Sequence, residues 1–140
     1  MRWLLLILLP APALAWDHTI GDVCTLWHVT ESAEIRLTHD PSGPLYTMTV
    51  TRAAGWPDSP WFGMRFDGAR GNVISTTRHV RSEDMTGIFV ADTGFGNVLD
   101  GLQFNDVAYA LTEGEFAAFP LEGAAPHVQA FRECAGVPAV

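Results

Sequence analysis

The chain has 140 residues, with eight basic and sixteen acidic side chains and a formal net charge of −8 at pH 7. An acidic surface of this kind repels phosphate groups, and no basic patch with interleaved aromatic residues offsets the repulsion. We therefore expect no nucleic-acid partner, and binding to anionic lipid is disfavoured. The length suits one domain with one hydrophobic core.

The N-terminal stretch has the pattern of an export signal. Arg2 supplies a positive charge, residues 3–9 form a short apolar run, and residues 13–15 form an A-x-A cleavage motif. The run is about half as long as a membrane-spanning helix, and no later run is long and apolar enough to span a membrane. We therefore predict a cleaved signal peptide over residues 1–15 and one β-rich domain over residues 16–140, located in the periplasm or secreted.

The two cysteines of the chain, Cys24 and Cys134, are expected to pair. An exported protein enters an oxidising compartment, where an isolated pair of cysteines forms a disulfide. The bond would join the first predicted strand to the last predicted helix. It would close a loop of about a hundred residues, for which the chain-entropy model gives roughly 4–5 kcal/mol. A redox-active pair is the weaker alternative, because the sequence has no C-x-x-C motif.

Alternation of apolar and polar residues predicts strands through most of the chain. The clearest strand follows a Pro/Gly-rich turn at residues 40–44 and places Tyr46, Met48 and Val50 on one face. With the strand before the turn it forms a predicted β-hairpin. The predicted strands lie at residues 23–29, 35–38, 46–51, 61–66, 73–77, 88–91, 107–111 and 116–121. Residues 53–60 are interpreted as a loop, and residues 78–87 as a loop or strand end.

Two short helices are predicted late in the chain. The apolar residues of the first recur at i, i+3, i+4 and i+7, with Asp92 or Thr93 as its cap and three glycines weakening it. These apolar residues are Phe95, Val98, Leu99 and Leu102. The second helix covers residues 124–134, with Pro126 tolerated in its first turn. The resulting fold class is α+β, mainly antiparallel β, a sandwich or partly open barrel with two short helices near the C-terminus.

The sharpest chemical pattern is Trp16-Asp17-His18, which would begin the mature chain if cleavage falls after Ala15. A free α-amine, two deprotonated backbone amides and the imidazole of a third-position histidine supply four nitrogens in a plane. Cu(II) and Ni(II) favour that tetragonal arrangement. The pattern thus predicts a Cu(II) or Ni(II) site, with an adventitious site or an ordinary strand approach as the alternative. Cleavage one residue away would remove the site.

Tryptophans near the middle of the chain are candidates for a partner surface. Trp56 and Trp61 flank a Pro-Asp-Ser-Pro segment, so a rigid loop could present an aromatic face to a ligand or protein. The alternative is that each ring closes one end of the core. We expect Trp61 and Trp27 to lie in the core, and both interpretations of Trp56 remain open.

A second candidate surface follows a predicted strand. Arg78, His79 and Arg81 could line a cleft and grip a carboxylate bidentately. The alternative is a solvated strand end. We take both surfaces together as the possible partner surface, formed by Trp56, Trp61, Arg78, His79 and Arg81.

No catalytic pattern is present in the sequence. A G-x-S-x-G elbow is missing, the histidines lack zinc-type spacings, and both cysteines are expected to be consumed by the disulfide. We therefore predict no catalytic residues and favour a non-enzymatic protein.

A family resemblance rests on the C-terminal part of the chain. The segments FPLEG at residues 119–123 and FREC at residues 131–134, together with the leader and an early cysteine in a strand, resemble small periplasmic proteins of alphaproteobacteria. This part of the chain resembles the invasion-associated locus B family, whose members end in a similar strand, Leu-x-Gly and short helix. The resemblance implies a periplasmic, β-rich, non-enzymatic protein, and it carries over no functional residue.

Three functions follow as hypotheses. The first is an exported, non-enzymatic binding or interaction protein, held together by one disulfide, whose partner is a protein or a small ligand. The second is handling of copper or nickel through the mature N-terminus. The third is a small periplasmic enzyme or enzyme inhibitor.

Overall fold

The computed structural model describes residues 15–134, and the predicted signal peptide lies outside the described residues except for Ala15. The chain forms ten strands and two helices within this range. In chain order they are β1 (Asp17–Thr19), β2 (Cys24–Val29), β3 (Ala33–Asp40), β4 (Leu45–Arg52), β5 (Phe62–Asp67), β6 (Asn72–Thr76), β7 (Val80–Arg81), β8 (Gly87–Asp92), α1 (Gly96–Phe104), β9 (Val107–Leu111), β10 (Phe116–Pro120) and α2 (Ala125–Arg132).

The strands form two antiparallel sheets that are not closed into a barrel. The six-stranded sheet has the order β1-β2-β3-β4-β8-β7, and the four-stranded sheet has the order β10-β9-β5-β6. The predicted hairpin is confirmed, since β3 pairs with β4, and the two predicted strands β9 and β10 also pair with each other. The fold class is therefore confirmed as mainly antiparallel β with two short helices, of which α2 lies near the C-terminus.

One apolar core lies between the sheets and the helices. Tyr46, Met48 and Val50 share the inner face of β4, as the alternation predicts, and Met48 and Val50 are buried. On the other sheet Phe62 and Met64 of β5 are also buried. Burial of aromatic and branched side chains from both sheets is the main stabilising term for this arrangement.

The helices cover the core with the faces that the sequence predicts. The apolar residues at positions 95, 98, 99 and 102 are buried, and α1 packs against β5. Val128 and Phe131 of α2 are buried against the first two strands and α1. The predicted cap of α1 is wrong: Phe95 occupies the N-cap position without a side-chain bond, and Asp92 instead accepts the backbone N–H of Thr93 at 2.7 Å.

The disulfide between Cys24 and Cys134 is present, with 6.2 Å between the two Cα atoms and 110 residues of sequence separation. Cys24 begins β2, and Cys134 lies just after α2. The bond therefore fixes the C-terminal helix to the strand next to β1. None of the helices within residues 15–134 has the length and apolar character required to cross a bilayer.

Two tryptophans differ from their predicted positions in the core. Trp27 is half-buried, because β2 turns Cys24, Leu26 and His28 inward and so directs residue 27 to the outer face. There the guanidinium of Arg36 lies 5.5 Å from the centre of its indole ring. Trp61 is also half-buried, at the residue before β5.

Candidate functional sites

The start of the described chain is tied to both sheets. Trp16 is 2% exposed, its indole stacks on the ring of His28, and Nε1 donates to the backbone oxygen of Pro120 at 2.8 Å. The next residues form β1, which pairs with β2 so that His18 lies opposite Leu26. The side chain of residue 16 is thus a structural anchor in the core.

The first candidate site joins this strand to the C-terminal helix. Nδ1 of His18 lies 2.8 Å from Nδ1 of His127 in α2, and the rings are tilted by 57°. Asp17 completes the cluster: one ligand atom from each of the three side chains lies within 4.8 Å of the other two. Asp17 is exposed and both histidines are half-buried, so the cluster is open to solvent. Its side chains could hold a metal ion.

The predicted amino-terminal metal site uses two of the same residues in another geometry. Chelation by successive backbone nitrogens closes five-membered rings, which require ψ near 0°, whereas strand backbone has ψ near +135°. Asp17 lies in β1, and its Oδ1 accepts the backbone N–H of His18 at 2.7 Å. Formation of that chelate would therefore require the first strand to leave its conformation and that amide to lose its proton.

The second candidate site is an open cleft of about 460 Å³ between the two sheets. It lies where β4 and β8 face β5 and β6, with the first turn of α1 at one end. Apolar side chains form its floor. They belong to Met48, Phe62, Met64, Ile74, Val90 and Phe95. A volume of this size is in the range of small-molecule sites, which are mostly apolar with a few fixed polar groups.

Polar groups line the rest of the cleft. They come from Ser75, Thr76, Arg78, Asp92 and Asn97. Arg78 supplies the only cation among the lining residues, and no carboxylate of residues 15–134 lies within ion-pair distance of its guanidinium. The Asp92 carboxylate, by contrast, accepts the backbone N–H of Thr93. The cleft therefore combines an apolar floor with one cation that is available to a ligand.

The structure separates the remaining residues of the predicted partner surface from Arg78. Nε2 of His79 lies 2.9 Å from the backbone oxygen of Ser59, and Nη1 of Arg81 donates to the backbone oxygen of Trp56 at 3.0 Å. Both bonds attach residues 79–81 to the loop before β5. These two side chains have a structural role here, and only the arginine at position 78 enters the cleft.

Trp56 belongs to the core rather than to an exposed aromatic face. It is 3% exposed, its Nε1 donates to the backbone oxygen of Val50 at 3.1 Å, and it meets the ring of Phe62 edge to face. Trp61 keeps part of its ring in solvent. The loop between them is fixed at Ser59, whose hydroxyl donates to the backbone oxygen of Trp61 at 2.6 Å.

Two further histidines are buried and belong to neither site. His28 and His39 face inward from β2 and β3, stacked on Trp16 and Tyr46 respectively. Burial lowers the pKa of His28 against the opposing effect of a hydrogen bond to the Ala15 backbone. Burial also lowers the pKa of His39 against the smaller opposing effect of the Asp40 charge. Burial therefore favours the neutral form of both rings.

Sequence patterns did not indicate the joint position of His18 and His127, which are separated by 109 residues. They also did not indicate that Asp92 and Asn97 line a cleft with Arg78. Neither set has a fixed spacing, because each is assembled by packing between distant elements.

Comparison of the chain with protein-family models, curated proteins and solved structures found no match.

Proposed function

We propose that the chain is an exported, non-catalytic binding protein whose ligand is a small amphipathic molecule with an anionic group. The ligand lies in the cleft between the sheets, with its apolar part on the floor and its anionic group on Arg78. The observation that carries the proposal is this cation, which has no ion-pair partner within residues 15–134 and lies beside the apolar floor of a cleft of about 460 Å³. The expected location is the periplasm or the extracellular medium, which agrees with the disulfide.

The lining residues favour recognition of charge and shape. Apolar side chains from both sheets supply most of the contact, which gives affinity without strict specificity. A guanidinium presents a planar set of donors that matches a carboxylate and can bind both of its oxygens. The resemblance to the invasion-associated locus B family points to the same class of periplasmic, non-enzymatic protein.

The test is binding of a medium-chain carboxylic acid and the alcohol of the same chain length, measured by calorimetry on the oxidised protein. We expect the acid to bind more tightly than the alcohol. Arg78→Gln should reduce binding of the acid by about tenfold, which corresponds to the roughly 1.4 kcal/mol of a charge-assisted bond, and should leave the alcohol unchanged. Arg70→Gln is the matched control, because Arg70 is exposed and lies over the ring of Phe104 outside the cleft.

A second pair of variants tests the position of the ligand. Val90→Trp fills the cleft from β8 and should abolish binding of both compounds, whereas Ala118→Trp adds the same ring at an exposed position of β10 and should not. Equal binding of acid and alcohol, or binding that persists in Val90→Trp, would exclude this site. Turnover of a hydrolase substrate that a point mutation removes would contradict the non-catalytic assignment.

A further inference from the structure

His18 and His127 are held in an arrangement that suits a shared ion. Their Nδ1 atoms lie 2.8 Å apart although they come from opposite ends of the described chain. A neutral imidazole has one N–H and one lone pair, so only one proton can lie between these two nitrogens. The arrangement is fixed from outside, because Trp16 anchors β1 to Pro120 and the disulfide anchors α2 to β2.

Asp17 adds a third donor of a different kind. One of its oxygens accepts the backbone N–H of His18 at 2.7 Å, which restrains the carboxylate beside the imidazole. Hydrogen bonds of this type orient metal-binding side chains in characterised sites. The cluster therefore presents two nitrogen donors and one oxygen donor, and the remaining positions are open to water.

We propose that Asp17, His18 and His127 bind one divalent late transition-metal ion, with Cu(II) bound more tightly than Ni(II) or Zn(II). Two nitrogens that each lie about 2.0 Å from one ion are about 2.8–3.3 Å apart for angles between a right angle and the tetrahedral angle. The observed separation of 2.8 Å falls at the lower end of this range, which suits the right angles of a tetragonal ion. Imidazole donors and the Irving–Williams order give the same preference.

This site is distinct from a chelate built on the free N-terminus. It uses side chains only, so it does not depend on where the leader is cleaved, and it requires a histidine of α2. It also leaves β1 paired with β2, as the structure shows. It goes beyond the proposed function, because the cleft between the sheets shares no residue with it.

The experiment is titration of the exported, oxidised protein with Cu(II), Ni(II) and Zn(II), after intact mass has identified its N-terminal residue. We expect one ion per chain and a loss of affinity of at least about tenfold to a hundredfold in His18→Gln and in His127→Gln. Asp17→Asn should weaken binding less. His79→Gln and Asp22→Asn are matched controls, since His79 is half-buried away from the cluster and Asp22 is an exposed acid near β1.

Two further measurements distinguish the side-chain site from the amino-terminal chelate even if a histidine variant does not fold. Electron paramagnetic resonance of the bound Cu(II) should show two coordinating nitrogens, whereas the amino-terminal chelate would show four. Acetylation of the α-amine should leave the affinity unchanged for the side-chain site. Four nitrogens, sensitivity to acetylation, or unaltered binding in a folded His127→Gln protein would overturn the proposal, as would a pair of histidines that share only a proton and bind no ion.

Discussion

The indole of Trp16 stacks on the imidazole of His28, with 4.9 Å between the ring centroids and 9° between the ring planes. The same indole donates its N–H to Pro120. Since His28 belongs to the six-stranded sheet and Pro120 to the four-stranded sheet, one side chain bridges the two sheets near the start of the domain. Cleavage after Ala15, as predicted, would leave this bridge intact in the mature protein.

Removal of the bridging indole should destabilise the fold. Trp16→Ala deletes a buried aromatic ring and a buried hydrogen bond, so we expect a loss of about 3–5 kcal/mol in the free energy of unfolding. Trp27→Ala, on the outer face of β2, should cost about 1 kcal/mol or less. Urea denaturation of both variants measures the difference. Equal losses would show that Trp16 does not contribute as a core residue.

The disulfide should stabilise the domain by restricting the unfolded chain. The separation of 110 residues predicts a loss of about 4–5 kcal/mol when Cys24 and Cys134 are both replaced by alanine. The loss should be accompanied by faster hydrogen exchange in α2, because the bond fixes the end of this helix to β2. Reduction of the native protein provides the control and should give a similar loss. An unchanged midpoint of denaturation on reduction would contradict the prediction.

Stability should decrease at acidic pH because of the buried histidines. Burial lowers the pKa of His28 and His39 below the value near 6.5 that a histidine has in the unfolded chain. Between the folded and unfolded pKa values the unfolded chain binds more protons, so the free energy of unfolding falls as pH decreases below about 6.5. Above that pH these two histidines cause no further change in the free energy of unfolding.

Denaturation curves at several pH values from about 5 to 8 measure this dependence. His28→Gln and His39→Gln should each flatten the acidic part of the profile, because each removes one group that takes up a proton on unfolding. His79→Gln is the control, since His79 is less buried than either ring. A protein that gains stability on acidification through this range would contradict the assignment of buried neutral rings.

The local elements, one hairpin and the disulfide were predictable from sequence, whereas the pairing of strands that are distant in the chain was not. Alternation of period two identified the strand containing Met48 and Val50, and helical spacing identified the face of α1. The pairing of β4 with β8 was not predictable, because these strands are distant in the chain and meet only through packing. β1 was missed as an element because three residues are too few to show a period.

The candidate sites were predictable only in fragments. Sequence patterns singled out His18 and Arg78. They predicted that His18 binds a metal ion together with backbone nitrogens of the N-terminus, and they grouped Arg78 with His79 and Arg81. In the structure His18 meets His127 across 109 residues of sequence, and Arg78 lines a cleft together with residues of both sheets. The local spacing of residues in one sequence does not indicate such pairs, because side chains that are distant in the chain come together only through packing of the folded domain.

Gly101 shows why a residue that weakens a helix can still be required. From sequence this glycine only lowers the helical propensity of α1, by about 1 kcal/mol relative to alanine. In the structure a Cβ at this position would overlap ring atoms of Phe66, which is 1% exposed and belongs to β5. The glycine therefore allows the close approach of α1 to the four-stranded sheet.

Gly101→Ala should destabilise the protein despite its better helical propensity. The buried ring cannot move without disturbing the core, and overpacking of this kind costs about 1–3 kcal/mol, more than the propensity gain. Gly96→Ala is the matched control in the same helix, because a Cβ there meets no atom within 4 Å and should be neutral or stabilising. Phe66→Leu combined with Gly101→Ala should recover part of the loss, since the smaller side chain makes room. Thermal denaturation of the unaltered protein and these three variants measures the differences. A Gly101→Ala protein as stable as Gly96→Ala would contradict the packing argument.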